Sequence, residues 1–306
     1  MSPTSLLTIN LIVILFTVTQ LTNSSLNGED CNCKVNLLED NLKIINGTQY
    51  YNNKYPWLVS LQIQRADGRN VHTCGGSLIN DQWIVTAAHC APTNIIRLTV
   101  TIGAHNLTSS GKQYKVSQFI RHPSYQTSPI VRNDIALVQL SEPISQFTRE
   151  IKPVCLSSRN IYFTANDLYV AGWGVTDETD HKATEIPLEV RMDHVNHFRC
   201  SLSWIGLLTF SAHICAQATS SSPCFGDSGG PLMVDNGSGT MYLVGVVSFG
   251  NSCGDSVPTV FTRVTSYLDW INETTTTSGY CRIDGQDVNS LPRKDNIKIT
   301  NLNQIN

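Results

Sequence analysis

A serine hydroxyl attacks a carbonyl at neutral pH only when a base takes its proton, and the chain holds a serine set for that task. In Cys224-Phe225-Gly226-Asp227-Ser228-Gly229-Gly230-Pro231 the serine stands between glycines, with an acid just before it and a cysteine pinning the approach. Glycine reaches backbone conformations that a side chain forbids, so two N–H groups can converge on one point. Two such donors, facing the place where a carbonyl oxygen becomes negative, make an oxyanion hole. The bland alternative is a glycine-rich turn that happens to contain a serine. A base and an orienting acid elsewhere decide between the two. Trp83-Ile84-Val85-Thr86-Ala87-Ala88-His89-Cys90 ends an apolar run on a histidine, and Asn133-Asp134-Ile135-Ala136-Leu137-Val138-Gln139-Leu140 opens one on an acid. A neutral imidazole can accept the serine's proton, and a carboxylate behind it fixes the tautomer and stabilises the imidazolium.

The order His89, Asp134, Ser228, carried by these three motifs, resembles the trypsin/chymotrypsin family of serine endopeptidases from about Ile44 to Ile271. The resemblance implies peptide-bond hydrolysis through an acyl-enzyme, with Ser228 as nucleophile, His89 as base and Asp134 as its orienter. It also implies a zymogen. Cutting between Lys43 and Ile44 would free an α-amino group that buries itself against Asp227, since a buried carboxylate needs a counter-charge. Gly226 N–H would then swing into the oxyanion hole. The family has two glycines after the hydrophobic pair, whereas here Asn46 precedes Gly47. The opposing reading makes Lys43 an ordinary solvated residue of the leader.

By the same resemblance Ser222 forms the floor of the specificity pocket, where a trypsin-like enzyme would carry an aspartate. A neutral floor leaves a buried cation unpaired. Gly250 leaves the mouth open, Thr259 narrows the depth, and strand 248–250 pairs with the substrate backbone. Ser248 helps hold Asp134, and Phe249 lies beside the substrate. The expected preference is for uncharged residues, small to medium aliphatic or aromatic, on the acyl side of the cut; Asp255 pointing inward would instead restore a taste for bases. Family positions suggest the pairs Cys74–Cys90, Cys200–Cys215 and Cys224–Cys253, with Cys33–Cys155 tying down the leader and Cys31–Cys281 the C-terminus. The roles of the two leader cysteines could equally be exchanged. Ala104 and Lys112 stand where calcium-binding relatives carry glutamates, so no metal and no cofactor is expected.

The elements that must position these residues read as all-β. From Trp57 onward, short runs of β-branched and aromatic residues alternate with turn clusters. Candidate strands cover 57–63, 74–79, 83–87, 96–103, 114–121, 134–140, 167–172, 187–193, 230–234, 242–249 and 259–264, followed by a helix over 264–271. Such a pattern implies closed or sandwiched antiparallel sheet. The resemblance makes it two six-stranded antiparallel β-barrels with a C-terminal helix, about 44–155 and 156–271, with the cleft between them.

The remaining features bound the setting. The 306 residues are 41% hydrophobic with a net charge of −3 and no long basic run, which argues against nucleic acid. Ten cysteines without a paired zinc pattern fit an oxidising compartment. Leu6 to Val18 is almost wholly apolar and small polar residues follow, which reads as a secretory signal over 1–24 and is short for a membrane anchor. A leader over 25–43, a protease domain over 44–275 and a polar tail over 276–306 complete the expected layout. Asn106, Asn236 and Asn272 head glycosylation sequons. His194 and His197 have a metal-like spacing but no acidic or cysteine cluster, and read as surface loop residues; His72, His105, His122, His181 and His213 carry no motif. The expected partners are polypeptide substrates, an activating trypsin-like protease and protein inhibitors of proteases, with no nucleic acid, no membrane and a monomeric state. A catalytically silent homologue acting as a binding or regulatory module is the competing function, although His89, Asp134 and Ser228 are all kept.

Overall fold

The computed structural model describes residues 33–35, 48–92, 94–157, 168–176, 179, 182–219, 221–237, 239–275 and 281. The signal segment, Cys31, Lys43, Ile44, His181 and the tail apart from Cys281 lie outside the described residues. The first strand, β1 (Thr48–Gln49), is followed by β2 (Leu58–Gln64), β3 (Asn70–Leu78), β4 (Trp83–Thr86), β5 (Leu98–Ile102), β6 (Lys112–Arg121) and β7 (Ala136–Leu140). Strands β2 to β7 close into a barrel in the order β2-β3-β4-β7-β6-β5. Every residue of β4 is buried, which is why that stretch reads as a continuous apolar run rather than an alternating one.

The second half begins with β8 (Cys155–Leu156), β9 (Leu168–Gly172) and β10 (Leu188–Val195), passes through α1 (His197–Ser203), and continues with β11 (His213–Gln217), β12 (Pro231–Asp235), β13 (Met241–Phe249) and β14 (Thr259–Arg263). Since β9 pairs with both β10 and β12, the ring β9-β10-β11-β14-β13-β12 is also closed and six-stranded. The two-barrel expectation holds. The C-terminal helix is α2 (Leu268–Thr274), preceded by a tight turn over Val264–Tyr267, so its α-helical part starts later than the apolar spacing suggested.

Four elements were not foreseen: the two-residue strands β1 and β8, the strand β11 and the helix α1. β11 offers only one β-branched residue in His-Ile-Cys-Ala-Gln, and β-propensity is a weak signal where packing decides. α1 is capped by Asn196, whose side chain accepts the Arg199 N–H at 2.8 Å, an N-cap device visible in the sequence. His194 lies in β10 and His197 opens α1, both half-buried, so their reading as surface loop residues is corrected.

β1 also departs from the simple split at residue 155. Thr48 and Gln49 pair with Glu189 and Leu188 of the second barrel, so the chain starts on one barrel before entering the other. The crossing is fixed by Lys54, only 1% exposed. Its Nζ lies 3.0 and 2.9 Å from the two Glu189 carboxylate oxygens, and Tyr55 O–H donates to the same carboxylate at 2.7 Å. The rings of Tyr50, Tyr55 and Tyr169 stand 6.0, 5.4 and 5.9 Å from the ammonium. An ion pair removed from water this completely is tolerated only with such partners.

Candidate active site

Register places the first two catalytic candidates. β4 and β7 are antiparallel with Thr86 opposite Ala136, so the residues just past the end of one strand meet those just before the start of the other. His89 and Asp134 occupy those positions. The His89 backbone N–H donates to Asp134 Oδ1 at 3.0 Å, and its Nδ1 lies 2.8 Å from Oδ2. A proton on Nδ1 leaves Nε2 as the acceptor. Ser248, at the end of β13, donates to Oδ2 at 2.5 Å. Asp134 is fully buried. Burial alone would raise its pKa, but the His89 and Ser248 hydrogen bonds outweigh it and hold the carboxyl below its ordinary range. Thr262 of β14 donates to the Asp134 carbonyl at 2.7 Å, so the second barrel grips this residue by side chain and main chain.

The serine loop is pressed against the same corner. The Gly75 N–H of β3 donates to Ser228 C=O at 2.8 Å, and Cys90 Sγ, next to His89, lies 3.6 Å from that oxygen. Gly229 has φ +77°, and a Cβ there would fall 2.2 Å from Thr86 Oγ1. Only glycine lets the loop come this close.

Two peptide planes set the direction of the candidate oxyanion donors. Phe225 C=O accepts from Val175 N–H at 2.9 Å, and Asp227 C=O accepts from Gly230 N–H at 2.9 Å. In a trans peptide the N–H points away from the C=O. Anchoring those two carbonyls therefore turns the Gly226 and Ser228 N–H groups outward, and neither donates to a protein acceptor among the described residues. His72, which no sequence motif marked, adds a third anchor. Its Nε2 lies 2.9 Å from Gly226 C=O and its Nδ1 2.8 Å from Ser60 Oγ. The carbonyl can only accept, so the proton sits on Nε2, and burial pushes this histidine down to about 4, which keeps the ring neutral at physiological pH.

Asp227 turns away from Ser228. Its carboxylate accepts from the N–H groups of Gly174 at 2.8 Å and Cys224 at 2.9 Å. Gly172 and Gly174 make the space, since a Cβ at either would lie 2.1 or 2.2 Å from a carboxylate oxygen. Burial raises this acid to about 6 against the pull of the two backbone donors. Beside it lies a small cavity of about 30 Å³.

A family model for trypsin matches residues 44–271. The chain belongs to the trypsin family. Two barrels meeting at a cleft, and a histidine, an aspartate and a serine loop brought to that cleft, are what this family of serine proteases requires.

Beside Ser228 lies a cavity of about 230 Å³, whose walls include Ser222, Phe249, Gly250, Asp255 and Thr259. Ser222 Oγ accepts the Gly254 N–H at 2.7 Å, so this lining hydroxyl is tied to the neighbouring loop. Thr259 is buried, and a Cβ at Gly250 would come within 3.9 Å of its Oγ1. Asp255 lies on the wall, but its carboxylate is taken up by its own loop, through Asn251 Nδ2 at 2.6 Å and the N–H groups of Ser252 and Val257 at 3.1 and 2.9 Å. Phe249 packs edge-on against Trp204, ring centres 5.2 Å apart.

The structure forms Cys33–Cys155, Cys74–Cys90, Cys200–Cys215 and Cys224–Cys253. Cys281 is disulfide-bonded as well, while Cys31 lies outside the described residues. Cys74, His89 and Cys90 are the one metal-like grouping among the described residues, and the two sulfurs are already joined to each other. No helix among the described residues is long and apolar enough to cross a membrane. Disulfides in this number fit an extracellular protein.

Proposed function

We propose that this trypsin-family protein is a secreted serine endopeptidase, made as a precursor and switched on by a cut between Lys43 and Ile44. The observation that carries the reading is the His89–Asp134–Ser248 hydrogen-bonded chain lying against the loop that holds Ser228. In the proposed reaction Ser228 Oγ attacks the peptide carbonyl while His89 Nε2 takes its proton. The oxyanion is met by the Gly226 and Ser228 N–H groups, worth about 10²–10³ in rate per donor. Imidazolium then protonates the leaving amine, and water repeats the sequence on the acyl-enzyme. Asp227 supports the activation step: an acid raised to about 6 by burial gains most from an α-ammonium group delivered to its cavity. Lys43→Gln is expected to give a folded, inactive protein.

The neutral Ser222 floor, with Asp255 held by its own loop, supports cleavage after uncharged rather than basic residues. The sequons at Asn106, Asn236 and Asn272 are proposed glycosylation sites, and protein protease inhibitors and an activating trypsin-like protease are proposed partners of a monomer. The deciding experiment is an active-site titrant applied before and after the Lys43–Ile44 cut. Stoichiometric labelling of Ser228 only after the cut is the expected result. A cut, folded chain that takes no label would leave a silent binding module instead. Paired peptides ending in Arg, Leu, Ala or Phe on the acyl side test the pocket, and fastest cleavage after Arg would overturn its neutral reading.

A further inference from the structure

The proposed activation step brings one ammonium group to a region that holds two acids. Glu189 of β10 is buried, and Asp227 opens on the cavity of about 30 Å³ beside the serine loop. Sheet register sets the two close together. Leu188, next to Glu189 in β10, lies opposite Gly172 of β9, and a Cβ on Gly172 would fall 2.1 Å from the Asp227 carboxylate. Leu188 also lines the Asp227 cavity. Tyr50 feels both acids: burial first, then the charge of Glu189 and that of Asp227, hold its hydroxyl well above the ordinary phenol range.

Both acids lie within range of the new amino terminus. β1 and β9 flank β10, with Gln49 and Gly172 both opposite Leu188, so these two residues are two strand spacings apart, about 10 Å. Ile44 stands four residues before Thr48, a stretch that spans at most about 14 Å. Either carboxylate would gain from an ammonium group, because a buried acid without a counter-charge is strongly unfavourable. What separates them is Lys54. Its Nζ already lies 3.0 and 2.9 Å from the two Glu189 oxygens. The rings of Tyr50, Tyr51, Tyr55 and Tyr169, between 5.4 and 6.0 Å away, help to hold it there. Asp227 has two backbone N–H donors and, among the described residues, no cation.

We infer that Lys54 is a positioning residue of the activation switch: by occupying Glu189 it reserves Asp227 for the new amino terminus. The inference rests on the endopeptidase reading and its cut at Lys43–Ile44, and it adds how the freed group is directed. Without the Lys54 charge the ammonium divides between two acids, and the share taken by Glu189 leaves Asp227 uncompensated.

The test uses the full chain before and after the cut. Lys54→Gln keeps a donor for Glu189 and removes the charge; Lys54→Gln/Glu189→Gln neutralises both partners. Labelling of Ser228 by an active-site titrant after the cut is expected to fall on the order of tenfold in Lys54→Gln and to return in the neutral pair. A second readout needs no activity, namely the rise in denaturant midpoint that the cut produces. Asp227→Asn should abolish that rise, whereas Asp227→Asn/Lys54→Gln should keep it, because Glu189 then accepts the ammonium. Asp227→Asn alone still decides the matter if Lys54→Gln does not fold: a rise that persists there means that Lys54 does not close Glu189 to the ammonium. That result, full labelling of cut Lys54→Gln, or lost labelling that the neutral pair does not restore would overturn the inference and leave the endopeptidase reading standing. An unaltered chain that after the cut takes no label and gains no stability removes both.

Discussion

Asp134 and Asp227 are both withdrawn from water within one cleft, yet they sit on opposite sides of their ordinary acidity. Asp134 meets an imidazole, a backbone N–H and a hydroxyl. Asp227 meets two backbone N–H groups and, among the described residues, no side-chain cation. Burial opposes ionisation in both, so the sign is set by the partners that the fold supplies. A third buried acid, Glu189, has the full ammonium of Lys54 beside it. The acid serving the histidine is therefore finished by the fold, whereas the acid behind the serine has, among the described residues, no cation beside it, which is what the proposed activation step needs. Each of the following experiments strikes at that contrast.

The largest effect is expected from Asp134→Asn, which offers the imidazole a donor where it needs an acceptor. A loss of about 10⁴ in kcat, the size associated with this change in the family's triad, with the melting temperature little altered, would confirm that the partner and not the packing matters. Lys54→Met comes next, because it strands a buried carboxylate. Denaturant unfolding should show a loss of about 3–5 kcal/mol, and Lys54→Met/Glu189→Leu should recover most of it. If the single change proves harmless, buried acids here do not depend on their partners and the contrast fails.

The uncut chain tests the sign directly through pH. Asp227 rises from 3.8 to about 6 in the folded state, so the folded form keeps a proton that the unfolded form has lost. Stability should then fall as pH climbs from about 4 to about 6, by about 2–3 kcal/mol. Asp134 has the opposite slope: its contribution is present at neutral pH and lost as pH drops below the ordinary carboxylate range. Asp227→Asn should flatten the first slope and keep the second, measured as unfolding free energy against pH. The smallest effect is expected from Ser248→Ala, which removes one donor and about 1–2 kcal/mol of support. Its signature is an upward shift of Asp134 together with about a tenfold fall in kcat.

What the sequence made legible follows the range of the forces involved. The first barrel could be read because β4 is buried throughout and β7 is apolar but for Gln139, and the catalytic candidates because the chemistry demands particular residue types in a recognisable order. β11, with one β-branched residue, is a strand chiefly because β10 and β14 flank it. Lys54 carries no local sign of burial; its partner lies 135 positions away. His72 was passed over for the same reason, since what makes it matter is a carbonyl 154 residues on. Asp255 could be placed near the pocket but not assigned a direction, because its three contacts depend on how one short loop turns.

The grip of Ser248 and Thr262 on Asp134 reaches past the acid itself. A hinge that swung the halves apart to admit a bulky guest would first pull the carboxylate from its hydroxyl clasp, disarming the machine at the moment of entry. On the endopeptidase reading, a substrate would therefore thread a fixed slot as a slack, unfolded stretch. Tightly knotted proteins without a loose loop should pass by uncut, whatever residues they display.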